Sequence, residues 1–380
     1  AIASDGERTW LDGGFGKTAF ADAGSELELA IANVALVWHP QVMDWDLSAH
    51  VHAQANPGQY NGADLVEAYL KWKPLPDGET RFAARAGLFF PPVSLEHDGL
   101  AWTPTRTLTP SAINSWIGEE VLVVGLEGTA RTLIDDHELM LTGALFRGND
   151  TAGTLLTYRG WAMHDTLATA FGDFAIPERG PAWTAFYMTQ APTTEPTREV
   201  DERYGSYVRL DWSPPFPVSL NVIYYDNHGH PEAVEEGQYG WRTRFTNVGL
   251  AADLDDKTEL LAQYMTGETV MGHYMVPDGW MADLGYESAY VLVSHEFDFG
   301  LMSARLDWFA IHDRNYEFVD DNNEDGWAAT VAWQRPLNSW ARLAAEVLYI
   351  DSDHPARIDQ GLAPEQQELV AQLALQLELK

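Results

Sequence analysis

The chain has 380 residues, a formal net charge of −34, 46% hydrophobic residues, a mean hydropathy of −0.25 and no cysteine. Such a charge repels phosphate backbones and excludes nucleic acid as a partner, while the missing thiols exclude disulfides, thiolate metal sites and cysteine nucleophiles. No stretch approaches the roughly 18 consecutive apolar residues of a membrane-spanning helix, so only strands closed on themselves could cross a bilayer.

The chain opens at Ala1-Ile2-Ala3-Ser4-Asp5 without a basic, apolar leader, as an exported protein does after signal removal. Arg8 to Ala19 reads as a weak, glycine-bearing first strand. Within it Gly13-Gly14-Phe15-Gly16-Lys17-Thr18 ends like a phosphate-cradling loop, but Leu11 stands where that motif needs its first glycine and no helix pattern follows. Strands then fall near 27–38, 45–55, 63–73, 80–90, 119–131, 137–147, 204–212, 218–228, 241–253, 258–270, 285–297, 300–312, 326–335, 339–350 and 366–380. The last is the plainest, since Leu373, Leu375, Leu377 and Leu379 alternate with mostly polar neighbours, the mark of a strand with one oily and one wet face.

Tight turns carrying Pro, Gly, Asp or Asn, such as Pro74 to Glu79, Thr132 to Asp136 and Pro336 to Ser339, take turns with longer connections. The longest are Pro91 to Gly118 and Gly148 to Arg203. In the first, Pro110-Ser111-Ala112 begins a helix-like run. In the second, Leu155 to Ala170 suggests a short helix over the mouth, with an extra hairpin strand at Ala182 to Gln190 as the alternative. Strict up-and-down connection gives about sixteen strands in a single domain, residues 1–380. The expected fold is all-β, an antiparallel transmembrane barrel with both termini at the short-turn, periplasmic end. Tryptophan, tyrosine and phenylalanine number 15 each, and many stand at strand ends, where a membrane barrel carries its aromatic girdles.

Alternation also assigns faces. Trp45, Leu47, Ala49, Val51 and Ala53 look outward, leaving Asp46, Ser48, His50, His52 and Gln54 inside. Phe82, Ala84, Ala86, Leu88 and Phe90 look outward, leaving Arg81 and Arg85 inside. Lys71, Lys73, Arg131, Arg209, Arg242, Arg244, Arg305 and Arg342 fall inside on the same logic, because a cation on the lipid face costs ~2–4 kcal/mol at the midplane. Lys71, Lys73, Arg81, Arg85 and Arg131 come from strands flanking the 91–118 connection, which carries Glu96, Asp98 and Arg106. A basic wall opposite an acidic loop would set up a transverse field that tunes ion choice. Mutual salt bridging with Glu67, Glu127, Asp211, Glu259, Asp307 and Glu346 is the competing reading.

Asp321-Asn322-Asn323-Glu324-Asp325-Gly326 matches the first half of a calcium loop, offering Asp321, Asn323 and Asp325 as ligands, but Ala332 occupies the place of the closing glutamate. No other cofactor is indicated. Acidic runs such as Glu195 to Glu202 suit either a cation-binding rim or a solvated loop surface. Ser48 beside His50 lacks an evident orienting acid, and the chain is read as no enzyme.

Ala86-Gly87-Leu88-Phe89-Phe90-Pro91-Pro92-Val93-Ser94-Leu95-Glu96, running into Leu108-Thr109-Pro110-Ser111-Ala112-Ile113-Asn114-Ser115-Trp116-Ile117-Gly118-Glu119-Glu120, resembles Gram-negative outer-membrane porins of alphaproteobacterial type and, more distantly, the phosphate-selective porin superfamily. The resemblance implies a sixteen-stranded barrel in the outer membrane, in contact with lipid and lipopolysaccharide, trimeric, passing small hydrophilic solutes and ions by diffusion. It also implies that 91–118, the third long loop, folds into the lumen as a constriction formed with Lys71, Lys73, Arg81, Arg85, Glu96, Asp98, Arg106 and Arg131. Phosphate-selective members line the pore with bases, whereas this loop has Arg106 alone and no lysine. A substrate-specific channel and a non-conducting barrel acting as adhesin or scaffold are the alternatives.

Overall fold

Alternating sequence becomes a long antiparallel meander in the computed structural model, which describes residues 1–3, 7–21, 33–42, 46–56, 61–76, 78–179, 190–276, 279–315 and 321–379. In chain order the strands are β1 (Ile2–Ala3), β2 (Val34–Trp38), β3 (Gln41–Val42), β4 (Leu47–Ala55), β5 (Asp64–Trp72), β6 (Arg81–Phe89), β7 (Val123–Ile134), β8 (His137–Arg147), β9 (Phe174–Ala175), β10 (Thr193–Thr194), β11 (Gly205–Ser213) and β12 (Val218–Asp226). They continue as β13 (Val234–Glu235), β14 (Gln238–Tyr239), β15 (Arg242–Asp255), β16 (Thr258–Met275), β17 (Gly279–Phe297), β18 (Gly300–Asp313), β19 (Glu324–Pro336), β20 (Ala341–Asp353) and β21 (Glu365–Leu377). One 17-stranded sheet takes all of them except two short loop ribbons, β9 with β10 and β13 with β14. Each strand pairs with its neighbours in up-and-down order, β2 and β3 both pair with β4, and β1 adds to β21 through Ile2↔Ala371 and Ala3↔Val370. Leu377 pairs with Ala341, which puts the end of β21 at the short-turn end.

The two faces separate as the alternation demands. On the outer face an apolar band stays exposed, with Leu36 at 68%, Leu126 at 60%, Leu306 at 64% and Leu373 at 70%. Sheet faces in water bury such residues, so a band of this extent marks a surface made for an apolar surrounding. Opposite it, the inner face carries His52, Gln54, Glu67, Glu127, Arg305, Asp307 and Glu346, all buried. Between β11 and β20 it also carries Tyr207, Ile223, Tyr225, Phe245, Met265, Tyr286, Leu292 and Phe309, one core with the connections folded on them.

Several expectations need correction. Arg8 to Ala19 is not a wall strand. A single 3₁₀ turn at Trp10–Asp12 is followed by a loop packed against the inner face, with Trp10, Phe15, Lys17 and Thr18 buried. The glycines explain why. Gly13 has φ of 76°, and a Cβ on Gly14 would lie 1.9 Å from the Arg8 carbonyl oxygen, so this is a tight turn that a strand cannot make. Leu88 and Phe90 are not exposed on an outer face: Leu88, near the end of β6, is 8% exposed and belongs to one buried cluster with Val66, Phe90 and Leu122, and Phe90, just beyond the strand, stacks on Trp102 at 4.1 Å. Arg242 and Arg244 share the outer side of β15 with exposed Val248, whereas Thr243, Phe245 and Asn247 are the buried alternates. There Arg244 pairs with Glu268, and Arg314 reaches Glu268 and Asp283. β16 and β17 run 18 and 19 residues, so their long-loop ends extend past the apolar band, where an outward charge costs little. The helix expected over 155–170 shrinks to α2 (Thr154–Arg159), named after α1 (Ala112–Glu120); both are buried throughout. The alternative hairpin strand at Ala182 to Gln190 lies outside the described residues except for Gln190.

Candidate functional site

Residues 91–122 leave β6 at Pro91-Pro92 and are pinned to the inner faces of β16, β18 and β20. Ser111 caps α1 by accepting from the Asn114 N–H at 3.3 Å, as an N-cap serine should. Around this cap the wall grips the chain in both polarities. Glu346 accepts the N–H groups of Leu108 (2.6 Å) and Thr109 (3.1 Å), and Asp307 accepts that of Ala112 (3.4 Å). Arg305 donates to the carbonyl oxygens of Thr109 (2.7 Å) and Pro110 (3.0 Å), to Asp307 (2.8 Å) and to Glu96 (2.9 Å). Glu96 completes the ring, accepting from the Ser111 N–H at 2.9 Å and from Asn114 Nδ2 at 2.6 Å.

The helix then buries its aromatic side. Trp116 meets Trp161, Phe245 and Tyr286 at centroid separations of 6.1, 5.6 and 5.3 Å. Behind it, Glu120 accepts from Trp116 Nε1 (2.7 Å), the Leu155 N–H (2.9 Å) and the Gly153 N–H (3.2 Å), so α1 holds the 148–203 connection in place. Glu119 pairs with Arg159 and with His164 Nε2 (2.6 Å). Burial alone would raise the Glu119 carboxyl, but Arg159 and the bond with His164 hold it low. Burial and the neighbouring Glu119 push Glu120 up to about 7, against the pull of its N–H donors. Burial likewise raises Asp150 to about 7. On the 91–118 loop, burial pushes His97 down to about 3.

Raised carboxyl values give the docked connection a pH dependence. The stabilisation from protons on Glu120 and Asp150 is complete below their ordinary values of 4.5 and 3.8 and is lost as pH rises through about 7. Amides of residues 149–160 are therefore expected to exchange with deuterium several-fold more slowly, after correction for intrinsic rates, at pH 5 than at pH 8. Equal protection at both would contradict the assignment.

Of the residues singled out in the sequence, Glu96, Asp98 and Arg106 come together on one side. Arg106 donates to Asp98 (2.8 Å) and to both oxygens of Glu259 (2.5 and 2.9 Å), and burial, which opposes its charge, is outweighed by these bonds. Lys71, Lys73, Arg81, Arg85 and Arg131 gather elsewhere, on β5, β6 and β7 and the residues just beyond β5. The acids of the loop take their partners from Arg305 and Arg106, not from this basic group. Within the group, Arg85 is bidentate to Glu127 (2.8 and 2.9 Å) and Arg131 pairs with Glu138. Register sets Lys71 directly beside Arg85, and Arg81 directly beside Arg131. Like charges placed opposite each other oppose pairing. Lys71, Lys73 and Arg81 form no ion pair among the described residues.

The calcium ligand set does not assemble. Asn323 donates through Nδ2 to Asp321 (2.7 Å) and accepts from the Asp313 N–H (3.0 Å), while Asp325 is already inside β19, on its exposed outer side. A strand is extended, rising about 3.3 Å per residue, so from Asp325 onward the chain does not curl to bring further oxygens around one ion. Sequence reasoning missed the N-terminal segment as a packed element. Lys17 Nζ donates to Glu324 and to the Trp161 carbonyl oxygen (2.8 Å), and Glu368 accepts the Lys17 N–H (2.6 Å). The one available signal was the glycine cluster Gly13-Gly14-Phe15-Gly16.

No protein-family model matches the chain, and no curated protein matches it. Among solved structures it is similar to OprB of Pseudomonas putida at high pH, with TM-score 0.53, 12% identity, and 91% of this chain and 87% of that one covered. It is also similar to the outer membrane channel DcaP of Acinetobacter baumannii, with TM-score 0.52, 10% identity, and 90% and 84% covered. At these identities the likeness is one of fold. The chain is porin-like, built on the antiparallel up-and-down sheet of Gram-negative outer-membrane channels.

Proposed function

We propose that the chain is an outer-membrane channel for small hydrophilic solutes and ions, whose sheet closes into a barrel with residues 91–122 folded into the lumen. The observation that carries this reading is the division of the inner face. From β11 to β20 that face is covered by α1, residues 148–176 and the N-terminal segment, whereas on β5 to β7 Lys71, Lys73 and Arg81 stay exposed. Charged side chains kept wet on the face opposite an apolar band suit a water path along that wall. The apolar band suits contact with lipid and lipopolysaccharide, and the porin-like fold supports a homotrimer with its short turns in the periplasm.

A second reading, a non-conducting barrel, draws on the aromatic packing of Trp116, Trp161, Phe245 and Tyr286, which leaves that side of the interior dry. Liposome swelling separates the two. Vesicles carrying the protein are expected to swell in a pentose and to resist a tetrasaccharide, as a narrow passage requires. Vesicles that hold correctly inserted protein and swell in neither sugar would favour the non-conducting barrel.

A further inference from the structure

On the inner face where β4 meets β5, two histidines and a glutamate converge. His50 and His52 are alternate residues of β4, so they share a face, and register sets His52 directly opposite Glu67. The ladder slips by one residue between His52 and Ala53, which leaves Val66 as a bulge. Bulges re-aim side chains, and Val66 and Glu67 are both buried although they are consecutive. The Glu67 carboxylate lies with Oε2 3.5 Å from His50 Nε2, while Oε1 accepts the Phe90 N–H at 3.4 Å. The His50 ring is fixed by stacking on Tyr69 at 4.7 Å, with the planes 12° apart, and its Nδ1 is 2.7 Å from Nε2 of His39, just past β2.

Three ring nitrogens here are buried without a hydrogen-bond partner: Nε2 of His50 and both nitrogens of His52. Polar atoms so placed cost stability unless an ion or a water reaches them. At 3.5 Å, His50 Nε2 and Glu67 Oε2 are too far apart for a hydrogen bond. Their separation is that of two ligands on one metal ion, since bonds of about 2.0–2.2 Å at tetrahedral angles set nitrogen and oxygen roughly 3.3–3.6 Å apart. His39 fits the same arrangement. A proton on His50 Nδ1, donated to His39 Nε2, leaves the Nε2 lone pair facing Glu67, as in a metal-bound imidazole steadied from behind. His52 stands across from Glu67, where opposed Cβ atoms are about 4.5–5.5 Å apart, so rotation of its ring brings in the third donor. The nearby cations do not forbid this: Lys71 is about 13 Å along β5 from Glu67, and Arg85 is neutralised by Glu127. His39 and His50 also line a cavity of about 320 Å³, which gives an ion its way in.

We propose that His50, His52 and Glu67 bind one divalent transition-metal ion of the zinc class, with His39 orienting His50 and water in the remaining position. Two imidazoles and a carboxylate suit Zn²⁺ or Co²⁺, whereas Ca²⁺ and Mg²⁺ take oxygen ligands. The site goes beyond the channel reading and does not depend on it, because nothing in the coordination requires conduction.

Calorimetric titration of the full chain, folded in detergent micelles, with Zn²⁺ in the presence of excess magnesium tests it. Magnesium occupies carboxylate clusters such as Asp150, Glu199 and Asp201, whose ligand atoms lie within 4.8 Å of one another, and leaves imidazoles free. One saturable equivalent of Zn²⁺ is expected. Its affinity should fall by about a hundredfold or more in His52→Ala and in Glu67→Gln, by about tenfold in His39→Gln, and not at all in His273→Ala, whose ring is exposed beside Glu232. Co²⁺ on the unaltered chain should give the intense visible band of a four-coordinate ion, a reading that needs no variant to fold. Absence of saturable Zn²⁺ heat, unchanged affinity in either His52→Ala or Glu67→Gln, or the pale spectrum of six-coordinate Co²⁺ would overturn the site. A silent barrel that binds Zn²⁺ removes the channel and leaves the site, whereas a conducting barrel that binds none removes only the site.

Discussion

Replacing Arg305 by alanine is expected to release residues 91–122 from the wall. Its guanidinium is fully buried and bridges Glu96, Asp307 and two consecutive carbonyl oxygens, those of Thr109 and Pro110. Removing it strands two buried carboxylates without their cation, a loss of about 3–5 kcal/mol. The penalty falls on the docking of the loop, since β18 keeps its full ladder to β17 and β19. Trypsin should then cut at Arg106, which its bonds to Asp98 and Glu259 now hold against the wall, and channel current should become larger and noisier. Arg305→Lys is expected to fall between, keeping the charge but not the planar fork that reaches both carbonyl groups. A native-like digestion pattern and unchanged current in Arg305→Ala would contradict the pinning described here.

Lys17→Met should undock the N-terminal segment by a similar amount. Burial pushes the Lys17 ammonium down to about 8, so it is still charged at neutral pH, where it neutralises Glu324 in a site with side-chain exposure of 1% and 0%. Loss of one partner from a buried pair costs about 3–5 kcal/mol, whereas replacing both by apolar groups of similar size is often neutral. Lys17→Met alone should therefore open the chain to trypsin at Arg8 and speed amide exchange over 9–18. Lys17→Met with Glu324→Met should recover much of the protection, because no charge is then left buried and only backbone groups lose partners, chiefly the Trp161 N–H, now bonded to Glu324 at 2.7 Å, and the Trp161 carbonyl oxygen, now bonded to Lys17 at 2.8 Å. A double variant as exposed as the single one would show that the ion pair is not what holds the segment.

The wall was legible and the filling was not, for one physical reason. Residues such as Leu373, Leu375 and Leu377 announce a strand because a period of two is forced wherever one face is wet and the other apolar. That same rule placed Lys71, Arg81, Arg85, Arg131, Arg305, Asp307 and Glu346 on the inner side correctly. It failed where its premise fails. Beyond the apolar band at the long-loop end both faces of β15 are polar or packed, so Arg242 and Arg244 could look outward. Irregular chain has no period at all, so nothing in the spacing of Trp10, Lys17, Arg159 or Trp161 signals that they meet. The partners of Glu96 and Asp98 escaped for the same reason. Facing follows from a strand's pleat, but which part of the wall a loop leans on is decided by tertiary bonds such as those of Arg305 and Glu346 to residues 108–112.

The central claim is that a water path runs along β5 to β7 beside an otherwise filled interior. Single-channel recording of the purified protein in a planar bilayer, across a KCl gradient, tests it most directly. Small, stepwise, ohmic openings are expected, with a reversal potential set towards chloride by Lys71, Lys73 and Arg81 and moved towards potassium when all three are replaced by glutamine. A membrane that stays silent with correctly inserted protein would contradict the account.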